Sequence, residues 1–318
     1  MNSPEIKVSQ ALARKAQSLG AEGLEWLAKL PQLVTELARD WQLVVGDPFT
    51  GGSEGYVTEA KTLDGMDVVL KVAMPPMEGN AVIAEEIWAL KIANGQGYAR
   101  LYRYDLSRRA LLLERLGPTL ESLEYSPYEQ MEIICQVLRR SWVTVPPRAL
   151  LKTGADLARE LAEFIRGLWR ELNQPCSKLV LDRALAYARE REEEFALSAS
   201  VLVHGDAHNQ NTLQVLGTEP PEFKLIDPDG IAAERAYDLG VLMREWIAEL
   251  LADPLSSGKA RCHYLAQLTG VDPGGIWQWG FIQSVSTGLF LLHLGAGQQG
   301  RQMLQVAEEW AREQQVGF

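Results

Sequence analysis

Residues 201–213 read VLVHGDAHNQNTL. The apolar run Val201–Leu202–Val203 predicts a short buried strand, and a polar loop follows it. Asp206 and Asn211 sit on that loop. A carboxylate there can take the proton of an attacking hydroxyl, and an amide oxygen can ligate the divalent cation that bridges phosphates. Asp and Asn also favour turns on their own account. The His204-Gly205 step directly before Asp206 weighs toward the chemical reading. Downstream, FKLIDPDG carries an apolar run that delivers Asp227 at a strand end. Magnesium prefers carboxylate oxygen and keeps few protein ligands beside phosphates. A strand, a turn and a second strand between 211 and 227 would return Asp227 to the Asp206 loop. An ordinary Asp-Pro turn is the competing reading.

Upstream, VVLKV places Lys71 inside an apolar strand, where an ammonium needs a partner. The helical pattern that follows carries Glu85 and Glu86. A strand lysine held by a helix glutamate suits a grip on nucleotide phosphates, although an exposed edge strand would also tolerate Lys71. GGSEGYV, with Gly51, Gly52 and Ser53, could bring backbone N–H groups close to phosphates or form a plain hairpin turn. LLLERL could form a lobe connector, where backbone groups of Glu114 and Leu116 would meet an adenine edge. Asp238 of AYDLG opens a helix, where a carboxylate favours the backbone N–H groups. His204 reads as structural and His208 has no assignment. Trp277 and Trp279 suit either a ligand pocket or the core.

The 318 residues are enough for two lobes. Helical periodicity covers 9–40, with Pro31 as a break or a new first turn. Strand-rich segments follow from 41 to 73, a helix over 80–94, and further strands in YARLYRYD and ALLLERL. Beyond Gly117-Pro118, helices dominate: 127–140, 153–173, 179–195, 236–252, 259–268 and most of 276–312. A β-hairpin is inserted at 201–227. The expected fold class is α+β, with residues 1–116 forming a small β-rich nucleotide-binding lobe with leading helices. Residues 117–318 form a larger, mainly helical catalytic and substrate lobe.

The net charge of −11 argues against a nucleic-acid partner; its field would concentrate a cationic substrate, although acidity that serves only solubility accounts for it equally well. No apolar run reaches the roughly 20 residues that span a bilayer, and the first residues lack an apolar signal core. A cytoplasmic protein without membrane attachment is expected. The three cysteines are far apart and odd in number, so reduced, packed thiols are expected.

Taken together, these segments resemble the aminoglycoside phosphotransferase family, from about residue 20 to about residue 250. HGDAHNQN is similar to its His-Gly-Asp-x-His-x-x-Asn loop and IDPDG to its magnesium motif. VVLKV, EIWAL and LLLERL are similar to its nucleotide-lobe segments in the same order. WLAKLP, running on to GGSEGYV, resembles the streptomycin 6-phosphotransferase and hydroxyurea phosphotransferase branch. That branch more often carries Lys-Pro where this chain has Asp229-Gly230. The resemblance implies a protein-kinase-like two-lobed fold that transfers the γ-phosphate of ATP or GTP to a hydroxyl, often on a cationic antibiotic. It implies Asp206 as catalytic base and Asn211 and Asp227 as Mg2+ ligands. It also implies Lys71 as the phosphate-binding lysine with Glu86 as its partner, Gly51, Gly52 and Ser53 in the phosphate-covering loop, and Asp238 as a support of the catalytic loop. Asp229 could face a cationic substrate. A metabolic kinase for an amino alcohol, sugar or amino acid, and a nucleotide-binding pseudokinase, are the alternative functions.

Overall fold

The computed structural model describes residues 6–49, 55–75, 83–146, 149 and 151–313. Gly51, Gly52 and Ser53 lie outside the described residues. The chain forms two compact units: Met1–Gly117 with Val215–Pro221, and Pro118–Gln214 with Glu222–Phe318.

The first unit opens with α1 (Gln10–Ser18), whose Ser9 cap accepts a hydrogen bond from the Leu12 amide, and α2 (Gly20–Trp41). The bend between them falls at Gly20, with φ +64°, and not at Pro31, which lies inside α2. Proline removes one helical hydrogen bond and costs about 3 kcal/mol. The stripe Trp26, Leu30, Val34 and Leu37 is buried against the sheet, and each such side chain contributes about 1.5–3 kcal/mol. Burial therefore outweighs the break. The sheet is antiparallel in the order β1 (Leu43–Pro48), β2 (Gly55–Thr62), β3 (Asp67–Ala73), then β5 (Ala110–Glu114) and β4 (Leu101–Asp105), with α3 (Ile83–Ala93) preceding β4. Side chains alternate along β3. Val68, Leu70 and Val72 are buried on the face that meets the leading helices, so Lys71 points to the opposite face.

The second unit contains α4 (Pro127–Ser141), β6 (Lys152–Thr153), α5 (Gly154–Glu171), α6 (Lys178–Glu193), β7 (Val201–Val203), β8 (Thr212–Gln214), β9 (Phe223–Leu225) and β10 (Ile231–Ala233). Then come α7 (Ala236–Arg244), α8 (Ile247–Leu251), α9 (Pro254–Thr269), α10 (Pro273–His293) and α11 (Gly297–Arg312). Capping boxes start α4 at Ser126/Glu129 and α5 at Thr153/Asp156, the reciprocal bonds that satisfy orphan N–H groups. β8 and β9 form the hairpin, whereas β7 is not part of it: β7 pairs with β10, which also pairs with β6. The helix expected over 236–252 is interrupted at Glu245–Trp246, where Trp246 adopts a left-handed φ of +47°.

Nearly every residue of α10 from Gly275 to Leu289 is buried, and the helix packs closely on α7. Glycines set that approach. A Cβ on Gly240 would lie 2.8 Å from Trp279 Cβ, and one on Gly280 would lie 2.6 Å from Met243 Cβ. Among the described residues, no helix is long and apolar enough to cross a membrane.

Cys135, Cys176 and Cys262 are free and buried, and burial pushes each thiol up to about 12. Because the thiolate is the reactive form, a thiol-specific colorimetric reagent at neutral pH should label the folded protein slowly. Three thiols should react promptly after unfolding. Fast labelling of the native state would contradict this packing.

Candidate active site

β7 ends at Val203, and the chain turns sharply through His204 and Gly205 into Asp206. Three N–H donors converge on the fully buried Asp238 at the start of α7. The His204 amide donates to Oδ2 at 3.1 Å, the Gly205 amide to Oδ1 at 2.9 Å, and Trp142 Nε1 to Oδ2 at 2.9 Å. Burial raises the Asp238 carboxyl, while the nearby His204 and these donors oppose the rise. Asp238 is thus a bracket for the loop, and the helix-start role read from sequence is only part of what it does.

His204 is also fully buried, and burial lowers its pKa. Its Nδ1 accepts the Asp206 amide at 3.1 Å, so Nε2 carries the proton and donates to the Ile226 carbonyl at 2.7 Å. A neutral imidazole used at both nitrogens is a structural brace rather than a base.

Of the two proposed metal ligands, Asn211 lies on the same loop and Asp227 follows β9. Asn211 Nδ2 donates to the Asp206 carbonyl at 3.0 Å, which leaves Oδ1 as the oxygen donor of that side chain. The Ile226 amide donates to the Asn211 carbonyl at 3.0 Å, extending the β8–β9 ladder and setting Asp227 beside Asn211. Asp227 has φ +57°, a left-handed conformation that Asp tolerates and that turns the chain out of the strand. The Asp229 amide donates to the His204 carbonyl at 2.8 Å. One asparagine oxygen and one carboxylate make an oxygen-only donor set, which fits magnesium beside phosphates. Among the described residues, no group of three or more His, Cys, Asp or Glu side chains forms a metal cluster.

The Asp206 carboxylate has partners that sequence reading missed. Arg244 Nη2, from the end of α7, donates to Oδ1, and His208 Nε2 lies 3.3 Å from Oδ2. Arg244 Nη1 is anchored on Thr287 Oγ1 of α10 at 2.6 Å. Burial alone would raise the Asp206 carboxyl, but the His208 hydrogen bond and the charge of Arg244 hold it well below the usual range. For His208, burial alone would lower the pKa, but Asp206 raises it. A cavity of about 390 Å³ opens here, lined by Asp206, His208, Arg244, Glu245, Trp246 and Glu121 among others. Glu121 accepts from Gln210 Nε2 at 2.8 Å. No spacing in the sequence linked Arg244 to Asp206, because the contact joins a helix end to a loop.

In the first unit, Lys71 Nζ meets both Glu86 oxygens, at 2.8 and 2.9 Å, with the two side chains only 7% and 10% exposed. At β5, the Glu114 amide donates to the Arg100 carbonyl at 2.8 Å, and Glu114 Oε2 accepts from the Arg100 amide at 2.9 Å. The Leu116 carbonyl accepts from Arg115.

Trp277 corrects an expectation. It is 1% exposed in α10 and packs on Trp310 of α11 with ring centroids 4.9 Å apart, so it is a core residue and not a pocket wall. Trp279 is equally buried, and its Nε1 donates to Glu234 Oε1 at 2.8 Å. Trp246 is the tryptophan that lines the Asp206 cavity.

A five-stranded antiparallel sheet in one unit, and a mainly helical second unit carrying this loop, define a kinase-like small-molecule phosphotransferase. The chain belongs to the aminoglycoside/hydroxyurea antibiotic resistance kinase family, whose profile matches residues 41–295. It is 29% identical over 298 residues to a streptomycin 6-kinase of Streptomyces glaucescens, covering 92% of each chain. Among solved structures it is similar in fold to the choline kinase LicA of Streptococcus pneumoniae. That likeness has a TM-score of 0.58 and 14% identity, and covers 91% of this chain and 98% of that one. It is also similar to an aminoglycoside phosphotransferase of Streptomyces rimosus in complex with ADP and streptomycin. There the TM-score is 0.52 with 16% identity, covering 81% of this chain and 98% of that one.

Gly205 offers a local check. Its φ is +99°, and an added Cβ would lie 2.4 Å from Asp229 Oδ2 and 2.7 Å from Asp229 Cβ. Gly205→Ala should lower Tm and cut the phosphotransfer rate at least ~10-fold, because displacing a reacting group by about 1 Å can cost ~100-fold. Thermal unfolding and initial rates read both effects. Rates and Tm equal to wild type would show that the turn tolerates the side chain.

Proposed function

We propose that this protein transfers the γ-phosphate of ATP or GTP to a hydroxyl of a cationic small molecule of the streptomycin class. Support comes from the family and from the relative that is a streptomycin 6-kinase. The observation that carries the substrate reading is the cavity around Asp206. Carboxylates of Asp206, Glu121 and Glu245 line it together with the Trp246 indole. Carboxylates and an indole face both attract organic cations. Arg244 and His208 offset part of that charge at Asp206, and Arg244 Nε lies 3.8 Å from Glu245 Oε1, so the acidic rim is Glu121 with a partly offset Glu245.

Under this reading Asp206 orients the acceptor hydroxyl and takes its proton late in transfer, as suits a carboxylate of low basicity and a loose transition state. Asn211 Oδ1 and the Asp227 carboxylate would hold Mg2+. When bound, that ion would neutralise charge on the phosphates. Lys71, oriented by Glu86, pairs with the nucleotide phosphates. Backbone groups of Glu114 and Leu116 meet the adenine edge. Gly51, Gly52 and Ser53 belong to the phosphate-covering segment, residues 1–116 to the nucleotide lobe and 117–318 to the catalytic and substrate lobe. His204 and Asp238 hold the loop. Asp229, which packs against Gly205, adds a carboxylate beside it.

The test is a transfer assay with γ-labelled nucleotide and Mg2+ against streptomycin, hydroxyurea, choline and neutral sugars. Streptomycin should be labelled best, and Asp227→Ala should abolish the magnesium dependence of nucleotide binding. Preferred labelling of a neutral acceptor would overturn the cationic reading. Normal magnesium titration in Asp227→Ala would remove that residue from the metal site.

A further inference from the structure

The last turn of a helix leaves carbonyl groups without intrahelical partners. At the end of α7 one buried guanidinium answers this need. Arg261 of α9 is 2% exposed. Its Nη1 donates to the carbonyls of Leu242 at 3.4 Å, Met243 at 3.2 Å and Glu245 at 2.5 Å. Its Nη2 reaches Glu249 Oε2 of α8 at 3.2 Å. The guanidinium carbon lies 5.9 Å from the Trp246 ring centroid. One side chain therefore joins the end of α7, the following corner and α8.

That corner is strained. Trp246 has φ +47° and ψ +50°, a left-handed conformation that costs a residue with a side chain roughly 1–2 kcal/mol. Such a conformation persists only where the surroundings over-determine it. Arg261 supplies the constraint, with bonds on both sides of residue 246. Arg244 lies between two carbonyls that Arg261 bonds, those of Met243 and Glu245; Arg244, Glu245 and Trp246 all line the Asp206 cavity, and Arg244 is the residue bonded to Asp206. Burying a guanidinium is costly unless its donors are used. A plain hydrophobic side chain could fill this space, but it could not hold three carbonyls at once.

We propose that Arg261 is a positioning residue for the acceptor pocket. By holding the left-handed corner at Trp246, it fixes where Arg244 meets Asp206 and where Glu245 and Trp246 form the rim. It touches neither acceptor nor nucleotide. The inference rests on the reading of this cavity as the acceptor site, and it separates from a purely structural role through the kinetics.

Arg261→Lys keeps the charge but lacks the planar fork, so it cannot span the same carbonyls and Glu249 together. It should raise KM for streptomycin at least ~10-fold, while KM for the nucleotide stays within about two-fold. Glu249→Gln, a milder change at a half-exposed carboxylate, should raise the same KM about two- to three-fold in a well-folded protein. A crystal structure of Arg261→Lys should show residue 246 outside the left-handed region and the Arg244–Asp206 contact broken. A fall in Tm with both KM values unchanged, or an unaltered corner in that crystal structure, would reduce Arg261 to a helix plug. If the wild type fails to phosphorylate streptomycin, the substrate reading falls, and the crystal structure still decides the role of Arg261.

Discussion

Asp206→Asn is expected to lower kcat by ~10²–10⁴, the usual contribution of a positioned general base, with nucleotide affinity within about two-fold of wild type. The substitution keeps the shape of the side chain, and the amide donations around the loop go to backbone and neighbouring groups that it leaves in place. The His204 and Gly205 amides still reach Asp238, and Asn211 still reaches the carbonyl of residue 206. The proton acceptor and the negative charge that Arg244 and His208 face are what disappear. Arg244 keeps its bond to Thr287. Steady-state kinetics with calorimetric nucleotide titration would separate the two effects. Turnover within about three-fold of wild type would exclude Asp206 as the base.

Lys71→Met is the second large effect, and it acts on both activity and stability. Lys71 and Glu86 form a bidentate pair that is almost wholly removed from solvent. Taking away the lysine leaves a buried glutamate charge without its ammonium, which costs about 3–5 kcal/mol. The phosphates also lose a fixed positive charge, and kcat should fall ~10²–10³ by analogy with removal of one preorganised donor. The double variant Lys71→Met/Glu86→Gln should regain most of the lost stability, because neither side chain is then charged. It should not regain phosphotransfer. Denaturant unfolding and initial rates on the three variants test this directly. Recovery of activity together with stability would mean that the pair is only a structural bridge.

The chemistry-bearing segments were legible because their signals are local. A buried strand, a glycine turn and an Asp–Asn loop are neighbours in sequence, and the backbone bonds of β8 and β9 bring Asp227 back within one hairpin. Lys71 was readable as a charge inside an apolar alternation, and its face follows from the two-residue period of β3. The helical patterns over 127–140 and 153–173 likewise placed α4 and α5, whose capping boxes only the structure shows. Other features left no local trace. Pro31 read as a break, yet the apolar stripe of α2 carried the helix through it. Trp277 and Trp246 are both tryptophans on helical patterns; only packing sends one into the core and the other to the cavity.

The sequence by itself determined the fold class, the family and the residue types available for phosphoryl transfer, since these rest on short segments whose chemistry does not depend on distant neighbours. Tertiary structure alone decided the electrostatic setting of Asp206, through Arg244, Thr287 and the left-handed corner held by Arg261. Charges act through space and carbonyls are capped by whichever side chain packs nearby, so their partners cannot be read along the chain.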